Sequence, residues 1–569
     1  MRPHVLPRAD LEELLAARGS AAAVRRLADS EWSWRLQLLT ALRRALTDAG
    51  RDYTDAWQLL GRAQRTAPGP VRELLLHPGV GTWAAHALRL VRGSAVSPHP
   101  GDVEPRRLYA VAAAAAAVAG LEGRLAVPAW QGTVSLPSLG LAVLADPGGA
   151  REEWSEAVVA FGGGAARVAG AAEWLPLRQL GIGTAVLDDV DPYRGLLRAE
   201  LPQRLSDADC EEWRAVAEAG LEVLRQVDPD AAEAIVAGLR VVVPLAAAEP
   251  HRPRSASSGD AFGAVLASFP DSAEQFAATL VHEFAHNRLG ALFHLQDFYA
   301  EGDGRLRYAP WRDDPRPLGG LLQGVYAFTA VARFWQARAT GGDQLARFEA
   351  ALWRRQTRRA LESLADDPAL TGAGRRLVAA LTAELASLPE GGQTSPAASD
   401  HAAAWRAWHL AVPREQAEGL LRRYRDGAER PEPELTADQA VVVPAPAAAD
   451  FDARAVLARH RLTGAWPPPS VGGAVPGDRE LAERQPRSAA EAYRAALRDD
   501  PTHVPALVGL GLALAEERTE SDPTALALLR RPELVLALAR HGAPPEPTAT
   551  WLGHALLSPP PVPTANPGH

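Results

Sequence analysis

The sequence predicts an α+β fold, predominantly helical. Apolar residues recur at helical spacing over most of the chain, for example Leu11, Leu14 and Leu15, then Leu36, Leu39 and Leu42. Short alternating runs broken by Gly and Pro turns appear between about 123 and 245, as strands do. The composition, 569 residues with 47% hydrophobic and 23% charged, is that of a globular chain and excludes a collagen-like, coiled-coil or wholly disordered one. At about 150 residues per domain, the length suggests three or four structural units.

Residues 1–122 read as a helical region, closed by the Ala-rich run Leu108–Leu121, a buried helix too short to span a bilayer. Region 123–245 is mixed. Val127–Trp130, Thr133–Leu141 and Thr184–Leu187 read as strands, the last ending in Asp188, Asp189 and Asp191. Ser206 and Asp209 have capping-box spacing for a helix towards Gln226. In region 246–425, the Ser-rich turn Ser255–Gly259 leads into a strand over 261–266. Pro270 and Asp271 start a long helix, Asp271 and Glu274 having capping-box spacing, and it runs to about Leu295. A loop rich in Asp, Arg and Pro follows, Asp297–Pro317, then a helix over Leu318–Trp335 that is apolar nearly all round and so should be buried. Leu388–Asp400 and the Pro/Ala-rich stretch 426–480 read as linkers. In segment 481–545, Ala489, Tyr493, Ala496 and Pro501, then Leu507, Leu510 and Gly511, fit one tetratricopeptide-like helix pair. Residues 546–569, Pro-rich from Ser558, are expected to be a disordered tail.

The charge balance, 60 Lys+Arg against 69 Asp+Glu, gives −9, so neither nucleic acid nor an anionic membrane is an expected partner. Every one of those cations is Arg. The chain has no Lys amine for catalysis, and an anionic ligand must be gripped by Arg, His or backbone amides. The single cysteine, Cys210, allows no disulfide framework and no Cys-rich metal site. Met1–Leu15 carries acids and lacks an apolar core, so no signal peptide is expected and the expected location is the cytoplasm.

The strongest local signal is His282-Glu283-Phe284-Ala285-His286. On a helix, i and i+4 share one face, so both imidazoles can reach one metal, with Glu283 about 100° round the axis as a base or acceptor. Such a strand-plus-metal-helix arrangement is a zincin-like core. The third ligand is open. The His of the extended zincin pattern would stand at position 292, which is Leu292. His294 lies about 12 Å beyond His286 along the axis, and Leu318–Trp335 carries no Asp or Glu. A loop carboxylate (Asp297, Glu301, Asp303, Asp313, Asp314) or the downstream His401 or His409 must supply it. Two His and one carboxylate suit non-haem Fe(II); three His suit zinc or iron. A second signal is Tyr308-Ala309-Pro310-Trp311-Arg312-Asp313-Asp314-Pro315-Arg316-Pro317. Arg312 and Arg316, held by three Pro, can clamp a carboxylate bidentately or brace the loop through Arg–Asp pairs.

The chain resembles the HExxH-type 2-oxoglutarate-dependent peptide β-hydroxylases, first described as putative peptide-modification proteins. The resemblance spans roughly residues 5–425. It rests on Leu280–His286, Ser255–Ala264, the Pro-Trp-Arg-Asp-Asp-Pro-Arg-Pro loop with Val325–Phe328, Leu136–Gly140, Trp174–Arg178 and Leu187–Arg194. It implies Fe(II), 2-oxoglutarate and O2, with a ribosomally made precursor peptide as substrate and a hydroxyl placed on a side-chain β-carbon. It implies His282 and His286 as iron ligands, and His401, from the His401–Arg406 stretch, as the third. Arg312 or Arg316 would bind the distal carboxylate of 2-oxoglutarate, and Glu283 would orient a ligand or the substrate. Ala285 departs from the Gln often found there, which touches only hydrogen bonding around the metal. The alternatives are a zinc metallopeptidase with Glu283 as general base and a non-catalytic peptide-binding scaffold. The sequence leaves open the oligomeric state, the modified residue and how a leader is recognised.

Overall fold

The computed structural model of the chain describes residues 4–97, 99, 103–145, 154–196, 198–389, 401–519 and 521–557. It is mixed α+β and 55% helical. The chain divides into two compact units. The first comprises Met1–Phe298, Tyr326–Ala337 and Leu370–Glu384; the second comprises Tyr299–Val325, Arg338–Ala369 and Leu385–His569. The boundaries expected at 122/123 and 245/246 therefore fall inside one unit, and the region 246–425 is shared between two.

The first unit holds two sheets. The larger has six antiparallel strands: β1 (Gly123–Trp130), β2 (Thr133–Leu136), β3 (Gly140–Leu144), β4 (Trp154–Gly162), β5 (Ala165–Val168) and β6 (Ala171–Pro176). Their order, β5-β4-β1-β2-β3-β6, gives a nearly closed, barrel-like sheet. Thr133–Leu141, expected as one strand, is interrupted after Leu136, where Ser138 turns at φ +61°. The Ala-rich helix Arg107–Val118 packs on this sheet, with Ala112 through Ala117 fully buried. Methyl side chains let the helix approach the strands closely, and one core joins it to helices Ala21–Asp48, Thr54–Thr66 and Pro78–Val91. No helix among the described residues is long and apolar enough to cross a membrane.

The second sheet has five strands in the order β10-β11-β9-β8-β7: β7 (Arg178–Gln179), β8 (Val186–Leu187), β9 (Val241–Pro244), β10 (Ser255–Ala256) and β11 (Ala264–Ala267). β11 lies parallel to β9 with Ala264 opposite Val241, and all four β11 residues are buried. β11 starts later than the sequence suggests. Gly259–Ala261 form a 3-10 turn, and Gly263 sits at φ +88°, where an added Cβ would meet the Gly238 carbonyl oxygen at 2.9 Å.

Helix Ala273–Phe293 packs on β11 and on helix Asp207–Val227. Ser206 and Asp209 form the expected capping box on the latter. On the former the expected cap is wrong by one residue. Ser272 accepts from the Gln275 amide, whereas Asp271 accepts from the His251 amide and from Gln275 Nε2. Ser272→Ala should therefore cost about 1 kcal/mol in urea unfolding. Asp271→Ala, which removes no cap, should cost less.

The second unit is mainly helical. Helices Pro486–Asp499, Val504–Glu517, Pro523–Arg530, Pro532–Ala539 and Pro545–Leu557 share one core with helix Ala402–His409. Several begin on a Pro, whose missing N–H is one that a helix start cannot satisfy anyway. The stretch expected as a linker, 426–480, is folded. Helix Ala453–Leu462 packs Val456 and Leu457 with Val471, and Arg454 binds Asp478, which also accepts from the buried Tyr493 hydroxyl. The expected tail begins as helix to Leu557, with Trp551 and Leu552 buried; residues 558–569 lie outside the described residues, as does most of the other expected linker, 390–400.

Candidate metal centre

His282 and His286 face each other on helix Ala273–Phe293 with their Nε2 atoms 3.1 Å apart and their rings 87° from parallel. Two nitrogens each about 2.1 Å from one ion would be that far apart at an angle of about 95°, near the cis angle of an octahedral site. The backbone alone brings them together, because i and i+4 lie one turn apart on one face. The Phe328 ring rests on the His282 ring at 4.6 Å between centroids. Burial, helped by the neighbouring His286, pushes His282 down to about 4, so its ring is neutral with a lone pair to give at neutral pH.

Glu283 is buried at 2% exposure. Its Oε1 lies 3.8 Å from His282 Nε2, and its Oε2 has no hydrogen-bond partner. An orphaned carboxylate oxygen beside two converging imidazoles is the donor environment of a site that takes an ion or an ordered water.

The helix is pinned by the next residue. The Asn287 side chain accepts from the Gly263 amide at 2.6 Å and donates to the Ala264 carbonyl at 3.1 Å, so it hooks the helix to the start of β11. On the opposite side Gly238 lies against Phe284, where an added Cβ would fall 2.5 Å from the ring. Sequence reasoning missed Asn287, Phe328 and Gly238.

Among the described residues of the first unit, no third carboxylate or imidazole closes on the His pair within 4.8 Å. Asp297 is exposed. His294 caps the helix and pairs with Glu31 at 2.8 Å, stacked on Trp34.

The other expected site residues lie in the second unit. Glu301 is exposed. His401 stands at the start of helix Ala402–His409. His409 is no ligand candidate: its two ring nitrogens face the carbonyl oxygens of Val443, at 3.0 Å, and Asp313, at 2.6 Å. The Asp313 carboxylate accepts from the Asp450 and Phe451 amides, and Asp303 pairs with Arg305 and Arg307. Arg312 and Arg316 both bind Asp314, at 2.9 and 3.0 Å. Burial alone would raise the Asp314 carboxyl, but these two hydrogen bonds outweigh it and hold it below the usual range. The loop is thus a braced Arg–Asp–Arg fork, with Arg312 half exposed. Trp311 packs over Gly324 beneath it, leaving no space there for a Cβ.

A further group was not found by sequence reasoning. His77, Asp188 and Asp191 bring one donor atom each within 4.8 Å of one another, all buried, and this group can hold a metal ion. Asp188 closes its own loop by accepting from the Val190 and Asp191 amides. Asp191 accepts from the Tyr193 amide and pairs with Arg107 at 2.6 Å. Burial and the adjacent Asp191 push the Asp188 carboxyl up to about 7, and burial lowers His77 to about 4. The only sequence signals were a His before the helix-starting Pro78 and the acidic cluster of 188–191. No protein-family model matches this chain, and no curated protein matches it.

Proposed function

We propose that this chain is an Fe(II)- and 2-oxoglutarate-dependent oxygenase that hydroxylates a side-chain β-carbon of a ribosomally made precursor peptide. The observation that carries the reading is the pair of converging imidazoles of His282 and His286 at 3.1 Å beside the unpartnered Glu283 oxygen. The donor set fits a borderline divalent ion such as iron. Bound there, iron with 2-oxoglutarate and O2 supplies the oxidising power to convert a C–H bond to C–OH, with succinate and CO2 as coproducts.

The chain's own residues do the rest. His282 and His286 hold the ion, and Phe328 limits the rotation of the first ring. Asn287 fixes the helix that carries both. Glu283, kept from solvent, accepts a hydrogen bond from a ligand or from the peptide. The further roles are those the family resemblance implies: His401 as third ligand, with a loop carboxylate such as Asp297 or Glu301 as the alternative, and Arg312 or Arg316 for the distal carboxylate of 2-oxoglutarate. The Asp314 brace supports the last, since a guanidinium held in place loses less freedom on binding an anion. We further read β11 with helix Ala273–Phe293 as a zincin-like core, and Pro486–Asp499 with Val504–Glu517 as a tetratricopeptide-like pair for peptide docking.

One observation favours a second reading. The same unpartnered Glu283 oxygen is what a zinc metallopeptidase needs as general base. Purified protein incubated with Fe(II), 2-oxoglutarate and a candidate precursor peptide distinguishes them. Succinate release with a peptide mass gain of one oxygen atom is the expected outcome; zinc-dependent cleavage without succinate would transfer the site to the peptidases.

A further inference from the structure

The group His77, Asp188 and Asp191 stands on two segments of the first unit. His77 is the residue before helix Pro78–Val91, and Asp188 and Asp191 line the loop that follows β8. All three are nearly fully buried, at 4, 1 and 3% exposure. Two buried nitrogens of this network lack a hydrogen-bond partner, Arg107 Nε and, facing the carboxylates, His77 Nε2. The latter faces Asp188 Oδ2 at 3.7 Å, beyond hydrogen-bond reach. A buried nitrogen and a buried carboxylate oxygen that face each other without bonding are costly unless something lies between them.

We propose that His77, Asp188 and Asp191 form a second metal site, structural in role, for a divalent transition ion such as zinc. The donor set is one imidazole and two carboxylates, which suits zinc or a similar borderline ion better than calcium or magnesium. Ligand atoms about 2.0–2.1 Å from an ion and 3.7 Å apart subtend about 130°, so a closure of roughly 0.3 Å brings the pair to tetrahedral spacing. Arg107 balances the Asp191 carboxylate, and Asp188 gives the site one net negative charge for a cation when it ionises.

Ligation has one local consequence. His77 Nδ1 accepts from the Gly79 amide at 3.2 Å, which puts the neutral ring's proton on Nε2. Binding through Nε2 moves that proton to Nδ1 and breaks the Gly79 contact. The ion then replaces a helix-start hydrogen bond with a bridge from the helix to the loop 188–191.

The site is independent of the His282–His286 pair, and the test removes that pair. Full-length H282A/H286A protein is stripped with chelator, dialysed against zinc alone and assayed by elemental mass spectrometry. It should retain about one zinc per chain. Adding Asp188→Asn, which keeps the shape and the acceptor of the Val190 and Asp191 amides, should lower retained zinc at least about tenfold. His77→Gln serves as the second variant, with tryptophan fluorescence reporting the fold. Failure of H282A/H286A to take up zinc would mean that a water fills the gap, and would overturn the proposal. Zinc retained in full after Asp188→Asn and after His77→Gln would also overturn it. Neither result bears on the oxygenase reading, which concerns the pair already removed.

Discussion

Replacing His282 by alanine is expected to abolish turnover, by at least about 10³-fold, and to remove iron from the purified protein. The expectation follows from how the pair is built. Helix geometry places the two Nε2 atoms 3.1 Å apart, and among the described residues of the first unit no other imidazole or carboxylate stands within reach of both. With one ring gone, an ion would keep a single nitrogen from this helix. The fold should survive. His282 lies at the edge of the core, its side chain 18% exposed, and its ring packs on Phe328 rather than inside a closed cluster. A loss in stability of no more than about 2 kcal/mol in urea unfolding is expected. Iron content and succinate production, measured beside the unfolding curve, check both halves. Retained turnover with a normal fold would sink the assignment of this pair.

The largest expected effect on stability lies elsewhere. Arg107→Met should destabilise the chain by about 3–5 kcal/mol, lowering the melting temperature by roughly 5 °C. Arg107 donates to Asp191 at 2.6 Å with both side chains under a tenth exposed, and its guanidinium lies 4.9 Å from the centre of the Tyr193 ring. Methionine keeps the stem but strands the Asp191 carboxylate among buried neighbours. Burial alone would raise that carboxyl; Arg107 and then His77 outweigh it and hold it below its ordinary range. A depressed carboxyl adds stability above its unfolded pKa and loses it as pH falls. Without Arg107 the sign reverses, because a raised carboxyl costs stability at high pH and regains it on protonation. The deficit of the variant should therefore shrink from mildly alkaline to mildly acidic pH. The double variant with Asp191→Asn should recover much of the loss. A single-variant cost below about 1 kcal/mol would show that the pair is not isolated from water.

The parts of this protein legible in the sequence were those decided by near neighbours. The Ser206–Asp209 capping box and the facing of His282 and His286 each depend on a few consecutive residues, and the chain shows them as expected. The cap at Ser272 was misread because Asp271 has the same chemistry one residue earlier, and only its contact with the distant His251 amide decides between them. The stretch 426–480 looked like a linker because Pro and Ala dominate it. Its order comes from partners outside the stretch, such as Tyr493 on Asp478 and Glu349 on Arg459. The group of His77 with Asp188 and Asp191 was illegible for the same reason, since its members come from segments far apart in the chain, one before a helix and the other after β8. The Arg312–Asp314–Arg316 loop held two readings in sequence, and the structure shows the bracing one directly.

The Asn287 side chain offers β11 what a neighbouring peptide group would: an oxygen for Gly263 and an N–H for Ala264. The helix is in effect stitched to the sheet as an honorary strand. A slip of one residue would translate it by about 1.5 Å and swing every side chain by about 100°, pointing both rings at protein instead of at their shared target. Aspartate there would keep the oxygen and lose the N–H, so the precision of aim, more than the presence of the rings, would record the change.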